Sequence, residues 1–167
     1  RDRSEPVQYL IQKDKRLAKV ISMIGNISYQ TYEDPYYFLV HEIIEQMLSI
    51  KAGQKIIERL NDMCGGSITP EKINALSIDE IKQIGTSAAK AGYIKNLTES
   101  VLFGALDFEV LNELSDKDII KELTKLKGIG EWTAHMYLIF VLDRPDVLPT
   151  TDAVSYTHLT LPTTSRV

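Results

Sequence analysis

Four residues, Lys127-Gly128-Ile129-Gly130, constrain the fold of this chain more than any others. They stand between two stretches of helical periodicity and are too few and too glycine-rich for anything but a tight turn. The first stretch, residues 116–125 (DKDIIKELTK), follows Ser115 as N-cap, with Asp118 three residues on. The second runs from Glu131 to about Leu142 and is apolar nearly all round, which predicts a buried helix. Arg144-Pro145 stops it. Two glycines around one apolar residue permit positive φ and let a ligand approach the backbone. The free N–H groups opening the second helix suit a phosphate oxygen. A bare Gly-x-Gly between helices is nonetheless most often an ordinary αα-hairpin.

The rest of the chain reads as helices too. Residues 7–23 carry one helical period (Leu10, Leu17, Val20, Ile21), ended by Gly25. Asp34-Pro35 is an N-cap followed by proline at the first helical position, and the helix continues through Phe38, Leu39, Ile43, Ile44 and Met47. A break at residues 49–51 precedes a helix from Ala52 to about Met63, closed by Gly65-Gly66. Thr69-Pro70-Glu71 opens a short helix, and Ser77-Ile78-Asp79-Glu80 is a capping box for another that ends at Gly85. Ser87 begins a longer helix to Phe103, and residues 107–114 add a turn or two. No segment alternates with period two for long enough to make an internal strand. The fold class is all-α, with about eight or nine helices and short, capped loops.

Composition narrows the class without naming it. The 167 residues, 44% hydrophobic and 25% charged, suit one soluble globular domain with a real core. No apolar run approaches the length of a membrane span, and no signal-peptide pattern opens the chain. The single cysteine, Cys64, excludes an internal disulfide and any multi-cysteine metal site, and fits a reduced intracellular setting. His41 and His135 have no partner at metal-ligand spacing. A net charge of −4 does not advertise a nucleic-acid binder. Lys51, Lys55 and Arg59, and likewise Lys121, Lys125 and Lys127, lie at helical spacing, which fits a solvated face as well as a local basic patch.

The wider strings carry more information. LKGIGEWTA resembles the helix–hairpin–helix of the DNA glycosylase superfamily, where the hairpin grips the DNA backbone. DPYYFLVHEIIEQMLSIKAGQKI resembles the family's helix that ends in a Gln-rich, small-residue loop, here Gln46-Met47-Leu48-Ser49. IGTSAAKAGYIKNL is similar to another signature segment, matching at Ser87, Lys90, Ala91 and Tyr93. The resemblance covers residues 17–152, and the subgroup most resembled is 3-methyladenine DNA glycosylase II. It implies a helix–hairpin–helix glycosylase domain over residues 1–152, incomplete at its C-terminal end.

The resemblance also implies roles. Gly128, Ile129 and Gly130 would hold the DNA backbone through main-chain N–H groups, helped by Lys127 and the Thr133 hydroxyl. Thr133 equally suits a bond back into its own helix. In this family the hairpin carbonyls often hold a sodium or potassium ion; no other cofactor or metal is expected. About twenty residues past the hairpin the family places a catalytic aspartate, and Asp152 stands there, after Val147-Leu148-Pro149. Cleaving an N-glycosidic bond builds positive charge on the sugar, which a carboxylate stabilises while orienting or deprotonating water. Glycosylase/lyases of the superfamily carry a nucleophilic lysine at the position of Trp132, so tryptophan implies hydrolysis without strand cleavage. The Trp132 ring suits stacking on a cationic base as well as a place in the core. Tyr137 is the second base-pocket candidate, although a core position is the commoner use of such a residue. Met47 and Leu48 are candidates for an apolar wedge in the minor groove.

After Asp152 the family continues into further helices, whereas residues 153–167 (AVSYTHLTLPTTSRV) have no helical period and resemble a cloning or sequencing scar. The expectation is a monomeric, monofunctional glycosylase that excises alkylated purines such as 3-methyladenine from double-stranded DNA. It would work without membrane contact, in bacterial cytoplasm or a eukaryotic nucleus, and this fragment could be inactive. Alternatives are a glycosylase for another damaged base, a helix–hairpin–helix module that binds DNA without catalysis, and a helical interaction domain with no nucleic-acid role.

Overall fold

A computed structural model describes residues 4–25 and 29–149 of the chain. Among them are ten helices and no strand, so the fold is all-α as the periodicity predicts. The chain divides after residue 30 into two compact units.

The first unit holds α1 (Ser4–Lys13) and α2 (Lys15–Ile24). The single helix expected over residues 7–23 is therefore two. Asp14 interrupts it because its carboxylate accepts from the N–H groups of Arg16 and Leu17, and an N-cap residue leaves the helical backbone region to do so. The continuous apolar period through Leu10, Leu17 and Val20 conceals this break. Gly25 ends α2 at a φ of 76°.

The second unit contains α3 (Pro35–Glu45), α4 (Ile50–Met63), α5 (Pro70–Ala75), α6 (Ile78–Gln83), α7 (Ala88–Leu102), α8 (Phe108–Asn112), α9 (Asp116–Leu123) and α10 (Glu131–Phe140). Start signals read in the sequence form as caps: Asp34, Thr69, Ser77, Ser87 and Ser115 each accept a backbone N–H of the helix they precede, and Ser77 with Glu80 closes a reciprocal capping box. Ser49, read as part of a break, is also an N-cap, so α4 begins at Ile50 rather than Ala52. The last helix stops at Phe140, short of Arg144-Pro145. Arg144 instead turns back, donating its N–H to Leu138 O and its guanidinium to Asn112 O.

Helix α3 is the axis of this unit. Phe38, Leu39, Val40, Ile43 and Ile44 are all buried, and α4, α7 and α10 pack against it. Each such side chain taken out of water contributes about 1.5–3 kcal/mol. The buried hydroxyls of Tyr36 and Thr98 are paired within this core. Thr98 gives its hydroxyl proton to Ile94 O at 2.6 Å, so the 2.8 Å contact with Tyr36 is donated by the tyrosine. Helices α5 and α6 lean on α7, while α8 and α9 lead into the hairpin and α10. Among the described residues no helix is long and apolar enough to cross a membrane.

Candidate functional site

The C-terminal end of α3, the hairpin and the start of α10 meet around a cleft of about 590 Å³. It is lined by Glu42, Glu45, Gln46, Met47, Gly128, Gly130, Trp132 and Thr133. That volume lies within the range of small-molecule sites. Two chain segments about eighty residues apart make it, and specific bonds hold them together.

Gly128 is glycine for two reasons. Its φ is 88°, and a Cβ there would come 2.3 Å from Cδ2 of Tyr93, so the hairpin backbone sits directly against Tyr93 of α7. Its carbonyl accepts a bond of 2.7 Å from Nε2 of Gln46. One turn before Tyr93 on the same helix, Lys90 donates from Nζ to the carbonyls of Ile44 and Gln46. It thereby supplies the orphan carbonyls at the end of α3 with a cation, as the helix dipole favours. Burial pushes the Lys90 pKa down. Lys90 and Tyr93 thus make α7 the plate on which both walls of the cleft are mounted. The sequence singled them out only as matches to a signature; their contacts are long-range and leave no mark in spacing.

Ile129 anchors the hairpin tip, buried in the core, and its N–H donates to Leu126 O at 3.1 Å. That N–H is used inside the turn, which corrects the expectation that all three of Gly128, Ile129 and Gly130 present theirs to a backbone phosphate. Gly130 differs from Gly128. Its φ of −95° suits any residue, and a Cβ would meet nothing within 4 Å. As N-cap of α10 it has no side chain to give, so the N–H groups of the first turn of α10 are left uncapped beside open space. Lys127 is exposed next to them.

Trp132 is half exposed and forms part of the cleft wall. Thr133 is only 3% exposed and is also one of the residues lining the cleft. Tyr137 does not reach the site, which settles its two readings in favour of the core. It is fully buried, edge-on to Phe38 and stacked with Phe108, and its hydroxyl donates to Asn112 Oδ1 at 2.9 Å. Asp143, just past α10, has a φ of 50°, the left-handed conformation of a turn residue.

Of the two wedge candidates, Met47 lines the cleft and Leu48 does not. Met47 is 100% exposed and has a φ of 59°, a conformation that costs a residue with a Cβ about 1–2 kcal/mol. An apolar side chain held in water on strained backbone contributes nothing to folding. The bonds of Gln46 to Gly128 O and of Lys90 to the carbonyls of Ile44 and Gln46 fix the chain just before it. Asp152 lies outside the described residues, as does the whole of residues 150–167.

A family model described as HhH-GPD superfamily base excision DNA repair protein matches residues 40–159. The DNA-3-methyladenine glycosylase 1 of Schizosaccharomyces pombe is 33% identical over 141 residues, which take in 83% of this chain and 62% of that protein. Among solved structures, a DNA-3-methyladenine glycosidase from Bacillus halodurans aligns with a TM-score of 0.78 at 38% identity, over 88% of this chain and 68% of the other. A 3-methyladenine DNA glycosylase of S. pombe, in complex with abasic DNA, gives 0.80 at 30% identity, over 89% and 75%. The chain therefore spans less than two thirds of the first of these relatives.

Proposed function

The chain belongs to the HhH-GPD superfamily of base excision DNA repair proteins, and from that premise we propose that it is a monofunctional DNA glycosylase acting on alkylated purines. The observation that carries this reading is the pairing of an uncapped helix start at Gly130 with a cleft walled by Trp132. A helix start with free N–H groups and a positive dipole end receives a phosphate. The cleft of about 590 Å³ immediately beside it has room for the base of a nearby nucleotide, once that base is flipped from the stack. Met47, rigidly presented at the rim, fills the space the base leaves and offsets part of the unstacking cost.

Trp132 stands where a Schiff-base lysine would, so the reaction uses water as nucleophile and leaves the strand intact. Asp152 supplies the carboxylate that stabilises the developing charge on the sugar. An alkylated purine already carries positive charge and leaves without a strong general acid. The hairpin carbonyls are neutral, hard oxygen donors of the kind that hold a sodium or potassium ion. Gly128 O and Leu126 O each accept one hydrogen bond and keep a second lone pair, so these residues fit such an ion. Bound there, it would add positive charge next to the phosphate. The partner is double-stranded DNA, bound by a monomer wherever the genome lies, in bacterial cytoplasm or a nucleus.

The test is base release from alkylated duplex DNA by the chain and by Asp152→Asn. Release of 3-methyladenine without nicking, abolished by the substitution, is the expected result. Salt-dependent binding with no release from any alkylated duplex, by the chain and by a version completed with the family's C-terminal helices, would overturn the enzyme and favour a binding module.

A further inference from the structure

Across the turn between α3 and α4, the Leu48 N–H donates to Glu45 O at 3.0 Å. Gln46 lies at φ −48° and ψ 127°, and Met47 at φ 59°. This bond and these angles make a type II β-turn with Gln46 and Met47 as its two central residues. The second central position of such a turn favours glycine or asparagine, because its φ is positive. Here it holds a methionine whose side chain stands wholly in water. A type I turn over the same four residues would return Met47 to an ordinary negative φ. The two types differ by turning over the peptide unit between the central residues. That unit is held in place, because its carbonyl, Gln46 O, accepts from Lys90 Nζ, which also serves Ile44 O.

Gln46 is fixed at its other end as well. Its Nε2 donates to Gly128 O at 2.7 Å, and a carbonyl can only accept, so the side-chain amide has one orientation. Gly128 in turn sits against Tyr93, one turn along α7 from Lys90. The residue before Met47 is thus tied to α7 by its main chain and to the hairpin by its side chain. Two residues past Gly128 is the uncapped start of α10 at Gly130. We infer that Gln46 is a positioning residue, which holds Met47 at a set place relative to the N–H groups that receive a phosphate. This rests on the reading that the hairpin grips the DNA backbone while Met47 fills the space of a flipped base. A side chain already held where it is needed loses little freedom on entering the duplex, so more of its contact energy becomes affinity. Without the tie to Gly128 the turn is held from α7 alone, and Met47 shifts freely against the hairpin.

Insertion is read as the preference for a duplex with one tetrahydrofuran abasic site, where the gap is already open, over the same duplex intact. Fluorescence anisotropy measures both affinities. The unaltered chain is expected to prefer the abasic duplex. Gln46→Met keeps the length of the side chain without its donor, and is expected to cut that preference about three- to tenfold, the worth of one hydrogen bond. In a Met47→Ala background the same substitution is expected to change the preference no further, because a positioning residue acts only through what it positions. A residue that served the fold alone would weaken both duplexes alike and leave their ratio unmoved. Gln46→Glu carries the same comparison if Gln46→Met loses its cooperative melting, since its charge acts on both duplexes and drops out of the ratio. A preference that survives Gln46→Met but not Met47→Ala overturns the role of Gln46 and leaves insertion standing. An equal fall with and without Met47 overturns it as well, and makes Gln46 a DNA contact in its own right. No preference by the unaltered chain, or one untouched by Met47→Ala, overturns the insertion of Met47 and the inference with it.

Discussion

Helices α9 and α10 flank the same hairpin and begin in opposite ways. At the start of α9, Ser115 accepts the N–H of Asp118 and donates its own proton to that residue's carboxylate. At the start of α10, Gly130 offers nothing. Every helix from α2 to α9 has a side-chain cap, so the open end is an exception within one chain and not a habit of it. A cap stabilises a fold by satisfying orphan N–H groups from within. Leaving them open forgoes that stability and keeps them for an anion from outside. The same contrast separates the two glycines: Gly128 is required by packing, whereas Gly130 is required by nothing inside the molecule.

Substitutions at the hairpin put this contrast at risk in order of effect. Gly128→Ala places a methyl group into Tyr93 at a φ of 88° and is expected to cost about 3–5 kcal/mol, combining overpacking with backbone strain. Urea unfolding measures it; a loss below 1 kcal/mol would show that the hairpin does not depend on this fit. Gly130→Asp should change stability by only a few tenths of a kcal/mol, because it caps a helix that glycine starts tolerably well. It should weaken duplex binding about ten- to a hundredfold, as a carboxylate takes the place of a phosphate. Unchanged affinity in a titration against duplex DNA would mean that the open helix start is not where the backbone sits. Ser115→Ala is the converse, expected to lose about 1 kcal/mol of stability while DNA affinity stays the same.

The smallest effect concerns acid. Glu80 accepts from the N–H and hydroxyl of Ser77, which lowers its pKa below the usual 4.5. A carboxylate with a depressed folded-state value contributes stability that is fully present above the unfolded value and fades as pH falls through the folded one. The Ser77 amide should therefore exchange faster, relative to its intrinsic rate, as pH falls below the usual 4.5 and through the lower folded-state value. Glu80→Gln, which keeps the box without the charge, should remove that dependence. The open end of α10 has Glu131 in its first turn but no side-chain cap, and should respond to phosphate concentration instead.

Much of this molecule was legible in its sequence, for a local reason. Capping residues act on N–H groups two or three positions away, so Asp34-Pro35, Ser77, Ser87 and Ser115 mark helix starts without knowledge of the fold. Asp14 belongs to the same class and could have been found had the apolar period not run across it. The string LKGIGEWTA was enough to point to the family that the comparisons show. The tertiary structure alone decided how the site is held and who belongs to it. It placed Gln46 on a carbonyl 82 residues away, put Lys90 and Tyr93 under the two walls, and turned Ile129 inward. It withdrew Tyr137 into the core and brought the end of α3 and the start of α10 to one cleft. Periodicity says which face of a helix is apolar, but the neighbour that face meets is fixed by packing of segments far apart in the chain, and spacing carries no record of it.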